Sequence, residues 1–318
     1  MSKLPTLAAA FIGFCLTVAG STAVAEEMVE IGVADENGAS WHFADQLSVA
    51  WKTAYKAERK RFVSRRTNSV EHRFELLRSR QIRFAVGPLK TLDEERSKRS
   101  RIKVASLLWR VYLVAVGLPD RQESVGFDTP APWYLPAGSL ILPTAFPQSA
   151  EEPTTQGLQS VQTVGSIFES TENPASKIFT IDREALTTGP SLFHDGILLY
   201  ETTGPVADLL SFFGKHLTVR PLHPQLIESL RKRIRWLDSV AYRRDGGKKI
   251  QTVGMTMALF THNAEDPELV GRAIKLLNHN PYRFFPKSYL FDNLRSASTK
   301  FVRRNLLHDA AASYYRVN

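Results

Sequence analysis

Three groups of side chains in this sequence have the types and spacing to hold a small polar molecule. The first is Asn37, Ser40, Trp41 and His42, behind a polar turn, with Asn68 and Ser69 placed similarly after a basic run. Amide, hydroxyl and imidazole groups supply hydrogen bonds, and an indole can stack on a flat ligand face or fill a helix core. The second is Trp109 and Arg110, ahead of a long apolar run. A guanidinium there can grip a carboxylate with two parallel hydrogen bonds, or make a structural ion pair. The third is Thr202, Thr203 and Gly204, between an apolar strand and a helix, where hydroxyls and free N–H groups suit an anion or an ordinary helix cap.

No catalytic signature accompanies them. The chain has no Gly-x-Ser-x-Gly elbow, no His-Glu-x-x-His and no phosphate loop of the Walker kind. Its 8 histidines share no ligand spacing on one helix face, and neighbours such as His194 and Asp195 on a strand point to opposite faces. The expectation is a non-enzymatic protein without metal or cofactor.

The chain opens with Lys3, an apolar run from Leu7 to Ala19 and the small residues Ala23-Val24-Ala25. Such a run is too short to span a bilayer, and Ala-x-Ala is the pattern that signal peptidase accepts. Residues 1–25 are therefore expected to be a cleaved signal peptide and the protein to be periplasmic or extracytoplasmic. The 1 cysteine, Cys15, lies inside this segment, so disulfides and thiolate chemistry are excluded from the remainder. Lys and Arg outnumber Asp and Glu by 41 to 32, with a cluster between Lys52 and Arg83. A cluster of this kind suits an acidic partner or a solvated face; no zinc-finger spacing or aromatic-glycine motif points to nucleic acid.

The positioning elements follow from periodicity. Met28 to Val33 alternates as a strand, Ser40 to Lys56 is an amphipathic helix, and Phe62-Val63 is a short strand. Thr67-Asn68-Ser69 caps a helix to about Arg80, and Arg83 to Gly87 is a third strand that stops at Pro88. This βαβαβ order predicts parallel strands, with a ligand at their C-terminal ends. Val104 to Gly117 and Thr252 to Phe260 are long apolar strands suited to crossing between two lobes. Between them lie a short strand at Ser139 to Leu142, a strand at Gly196 to Glu201 with a helix from Val206 to Phe213, and a strand at Leu217 to Leu222 with a helix to Trp236. Asp266-Pro267-Glu268 opens a helix through Leu277, and Asn280 to Tyr315 reads as helical with turns.

The order of these pieces resembles the TAXI-type TRAP-associated extracytoplasmic solute receptors. The matching stretches are Ile31-Gly32, Glu71 to Val86, Val104 to Val116, Asp195 to Leu210, Leu217 to Arg231, Thr252 to Leu277, Leu307-His308 and Tyr314-Tyr315. The resemblance implies an α/β, two-lobed type 2 periplasmic-binding fold with a central cleft. Its implied division is lobe 1 over 26–118, lobe 2 over 119–251, and a return to lobe 1 over 252–318. It also implies a receptor that closes on a small carboxylate-bearing ligand and serves a TRAP-type membrane permease. Tyr242 falls where the family has a tyrosine in a mobile loop, which would close over the ligand.

The family's first loop is glycine-rich, so that backbone N–H groups nest around an anion. Here Ala34 to His42 keeps one glycine and carries Asp35 and Glu36. A second expectation therefore stands beside the first, a degenerate receptor that binds another exported protein such as a sensor. Mass spectrometry of the exported protein should find Glu26 at its N-terminus; an intact Lys3 in the exported form would contradict the leader.

Overall fold

The computed structural model describes residues 26–34, 39–92, 101–117, 124–126, 133–136, 159–160, 178–181, 196–203, 217–243, 248–279, 281–284 and 302–316. The chain begins with β1 (Glu27–Val33), α1 (Ala39–Ala54), β2 (Lys60–Arg66), α2 (Val70–Arg78) and β3 (Phe84–Pro88). Strand β1 pairs in parallel with β2 on one side and β3 on the other, the arrangement that βαβ crossovers enforce. The apolar stripe of α1, carried by Phe43, Leu47, Ala50 and Trp51, is buried against this sheet. Ser69 caps α2 by accepting a hydrogen bond from the His72 amide at 3.0 Å.

The middle of the chain supplies β4 (Ile102–Gly117), β5 (Trp133–Pro136), β6 (Gln159–Ser160), β7 (Ile178–Ile181), β8 (Ile197–Thr202) and β9 (Thr218–Arg220). Then come α3 (Pro224–Arg233), β10 (Asp238–Arg243), β11 (Lys249–His262), α4 (Pro267–His279) and α5 (Pro281–Phe284). A 3-10 turn at Arg304–Leu306 leads to α6 (Asp309–Arg316). One sheet of 11 strands runs β2-β1-β3-β11-β4-β8-β5-β7-β6, with β9 added to β4 and β10 to β11.

Strands β4 and β11 hold the two ends of the sheet together. Their antiparallel ladder extends from Val253 opposite Leu113 to His262 opposite Ile102. From Tyr112 onward β4 takes β8 as a further neighbour, while β11 takes β10 along its first half and β3 along its second. Both strands are buried almost throughout, which explains why they read as apolar runs rather than alternating ones. Gly254 sits in the middle of this junction, flanked by β4 and β10. A Cβ there would lie 2.5 Å from the Val111 carbonyl oxygen and 2.9 Å from a Val240 methyl, so only glycine fits.

Two elements differ from expectation. Strand β2 is longer than Phe62-Val63 because its ladder with β1 is made by backbone, which Lys60, Arg61, Arg65 and Arg66 can supply without apolar side chains. Being at the sheet's edge, it keeps these cations in water or on Glu27 and Glu30. The segment after Leu237 forms β10 rather than a loop. The expected strand at 139–142 and helix at 206–213 lie outside the described residues.

The C-terminal segment docks on the start of β4. Leu307 bridges to Val104, the His308 amide donates to the Val104 carbonyl at 2.9 Å, and Tyr315 shares a 2.9 Å hydroxyl hydrogen bond with Ser106. Two buried histidines secure this corner, each accepting an amide two residues onward at its Nδ1: Ala264 on His262 at 3.1 Å and Ala310 on His308 at 3.2 Å. Burial first, with Arg80 and Arg101 beside His262 and Lys103 beside His308, holds both imidazoles below their ordinary pKa; Glu265 and Asp309 oppose the shift. A protonated Nδ1 could accept neither amide.

The unfolded chain therefore binds more protons than the folded one just below the ordinary imidazole value of about 6.5. The histidine contribution is fully present above that pH and is lost as pH falls toward the folded values. Urea midpoints should drop between about pH 7 and pH 5, and His262→Gln with His308→Gln should flatten this dependence at a lower overall stability. An equally steep dependence in the double variant would dismiss the histidines as its source.

Candidate functional site

The C-terminal ends of β1, β2 and β3 lie along one edge, and hydrogen bonds from the following loops tie them together. The Thr67 amide and hydroxyl both donate to the Val33 carbonyl, at 3.0 and 2.8 Å, and the Ala34 amide donates to Ser40 Oγ at 3.4 Å. This brings the first turns of α1 and α2 to the same edge. Arg73, from the first turn of α2, is buried beneath them. Its Nε donates to Thr67 Oγ1 at 2.9 Å and its Nη1 to the Val86 carbonyl. Gly32 makes room for it, since a Cβ there would lie 2.8 Å from Arg73 Cγ. One guanidinium thus links the ends of the parallel strands.

A polar row on the crossing strands meets this edge. Arg110 pairs with Thr256, Tyr112 with both Gly254 and Thr202, and Gly254 with Asp238. Directly paired residues share a face of a sheet, so Arg110, Thr256, Tyr112, Thr202 and Asp238 project together around Gly254. The register places β3's last residue, Pro88, beside Met257, and the Leu89 amide donates to the Thr256 carbonyl at 2.7 Å. The strand-end edge and the row are therefore contiguous.

The charges in this row are linked. Lys90, just past β3, bonds Asp238 and also donates to the Leu237 carbonyl at 3.2 Å. Burial raises the Tyr112 phenol above its ordinary pKa, while the Arg110 charge and hydrogen bond pull the other way. Lys90 is paired with Asp238, Arg110 hydrogen-bonds Tyr112 on the same face, and Arg73 lies buried beneath the edge. The described residues contain no group of three or more metal-ligating side chains.

No family model and no curated relative matches the chain. Among solved structures it is similar to a possible phosphate binding protein from Planctomyces limnophilus DSM 3776, with a TM-score of 0.53 and 8% identity, over 92% of this chain and 99% of that one. PstS from Borrelia burgdorferi scores 0.46 at 11% identity, over 80% and 93% of the two chains. At such identities the first similarity speaks for the fold. The chain has the α/β fold of that structure. Its α/β character, with two long strands crossing one curled sheet, is the type 2 periplasmic-binding arrangement expected above.

Within it, Ser40, Trp41 and His42 all fall in the first turn of α1. Ser40 is buried and occupied by the Ala34 amide, Trp41 packs partly against the core, and His42 is exposed. Asn68 and Ser69 are exposed at the start of α2, with Ser69 engaged as the cap. Thr202 and Thr203 end β8 beside the row, whereas Asn37 and Gly204 lie outside the described residues.

Two expected ligand contacts are corrected. Trp109 is 1% exposed and its ring sits 5.8 Å from Phe43 in the core. The cause is a register irregularity in which Leu108 and Trp109 together oppose Met257, turning both side chains inward. Tyr242 is also 1% exposed, within β10, in edge contact with Tyr112 at 5.4 Å, so it is a packing residue and not part of a closing loop.

Tyr112, Lys90, Asp238 and Arg73 were missed. Each owes its place to strand register or to a missing Cβ opposite, neither of which leaves a local motif. Arg73→Met should lower unfolding stability by about 3 kcal/mol, because two buried acceptors lose a charged donor, and Thr67→Val by about 1–2 kcal/mol. Equal urea midpoints for wild type and Arg73→Met would rule out this role.

Proposed function

We propose that the protein is an extracytoplasmic solute-binding receptor. The observation that carries the reading is the contiguity of the Arg110–Tyr112–Asp238–Lys90 row with the C-terminal edge of the parallel strands. Open α/β sheets bind ligands at such edges, and a hinge between lobes lets both sides close on a ligand and exclude water. The ligand is a small carboxylate. Arg110 faces its two oxygens, the first turns of α1 and α2 offer N–H groups, and Thr202 with Thr203 contributes hydroxyls from the other lobe.

Delivery is to a membrane permease, of TRAP type by the resemblance of the chain's element order to that receptor family. The similarity to a possible phosphate binding protein supports the receptor reading at the level of fold. No described helix is long and apolar enough to cross a membrane, so transport would rest on a separate membrane partner.

A thermal-shift series with glutamate, succinate, pyruvate and inorganic phosphate tests the reading. A carboxylate at 100 times its dissociation constant adds about 2.7 kcal/mol to the folded state. In a protein of this size that is a rise in melting temperature of roughly 4 °C. Arg110→Gln should remove the shift while leaving the unliganded melting temperature nearly unchanged. Stabilisation by phosphate alone would replace the carboxylate assignment, and no stabilisation by any of them would favour the protein-binding alternative.

A further inference from the structure

Helix α1 runs for 16 residues, so its last turn lies about 19 Å from the turn that faces the strand-end edge. Around that far end, α4, α5 and α6 close off a half-open cavity of about 600 Å³. This volume is in the range of small-molecule sites. Phe284, Tyr55 and Tyr314 supply an aromatic part of the lining and Lys275, His279 and Arg283 a basic part, with no carboxylate among the described lining residues.

The basic residues are not used up by the fold. Among the described residues, none of the three makes an ion pair. The acids nearby in the chain are taken by Arg272, one turn before Lys275, which bonds both Glu58 and Glu268 and lies 5.0 Å from the centre of the Tyr55 ring. The C-terminal dipole of α4 accounts for basic residues at Lys275 and His279. It does not account for Arg283 on the next helix, nor for the open volume that the basic and aromatic residues line. The aromatic part is held by neighbouring rings: Phe284 packs on Phe43 at 6.2 Å, Tyr55 on Trp51 at 4.6 Å and Tyr314 on Tyr315 at 5.3 Å. Rings braced in this way keep the cavity from collapsing.

We infer that this cavity is a second ligand site, for an anion carried on an apolar body. A carboxylate or phosphate head would sit among Lys275, His279 and Arg283, with an alkyl chain or ring along Phe284, Tyr55 and Tyr314. The site is separate from the receptor edge and does not depend on that reading.

Isothermal titration of the purified protein with decanoate, octyl phosphate and decanol tests it. Decanoate or octyl phosphate should bind at least 10-fold more tightly than decanol, and the tighter of the two assigns the head group. Lys275→Gln with Arg283→Gln should weaken anion binding about 10-fold or more while leaving decanol unchanged. Ala54→Trp, on the exposed last turn of α1, should fill the cavity and abolish binding of both anions without altering any charge. Arg110→Gln should change neither anion's affinity, since it lies toward the other end of α1. Decanol binding as tightly as decanoate, undiminished anion binding in the double variant or in Ala54→Trp, or no heat with either anion would each overturn the site.

Discussion

The pairing of β4 with β11 is the constraint on which everything else rests. Each strand serves one part of the sheet with one half and the other part with its second half, so their ladder fixes how the two parts are joined. Burial on both faces leaves its backbone groups no water to bond, and every lost ladder bond would strand a buried donor or acceptor. The ladder has two irregularities, between Thr256 and Ala258 and between Leu259 and Phe260, and the first, opposite Met257, drives Trp109 into the core beside Phe43. Immediately after that first irregularity the alternation resumes with Arg110, which returns a charged side chain to the open face. The same irregularity thus completes one core and begins the polar row.

Close approach at Gly254 has a related effect. Strands β4 and β10 both flank it, and the space a side chain would need is filled by the Val111 carbonyl and Val240. The glycine lets β10 run close enough for Asp238 to reach the face of Arg110 and Tyr112, where Lys90 arrives from β3. Packing demands at one position therefore decide where four polar groups meet.

What could be read in the sequence divides along the same line. The βαβαβ start, the two long apolar strands and the helix caps at Ser69 and Asp266 are local patterns, and the structure contains each of them. Arg110 and Thr202 stand at the margins of apolar runs, where polarity changes abruptly, and strand register puts both in the polar row. Trp109 and Arg110 looked equivalent as neighbours, and only the irregularity opposite Met257 separates their fates. Tyr242 was placed in a loop by the family resemblance; its strand, Asp238–Arg243, alternates over too few residues to stand out locally, and its partner β11 makes it a strand. Nothing local distinguishes Arg73 from Arg78 five residues later. The burial of Arg73 depends on Gly32, 41 positions earlier, and on the strand ends it bonds.

The excess of basic residues has no single role. Lys60 and Arg65 answer Glu27 and Glu30 on β1, and with Arg61 and Arg66 they keep the edge strand from pairing with another chain. Arg83 is held by Glu265 and Glu27, which raises its pKa and fastens β3's start to the turn after β11. These cations are structural, and subtracting them alters what net charge implies. Among the described residues, Lys275, His279 and Arg283 near the end of α1 are cations that no described acid neutralises. Charge on this protein is therefore better understood by which side chains the sheet edges and helix ends have already neutralised than by its sum.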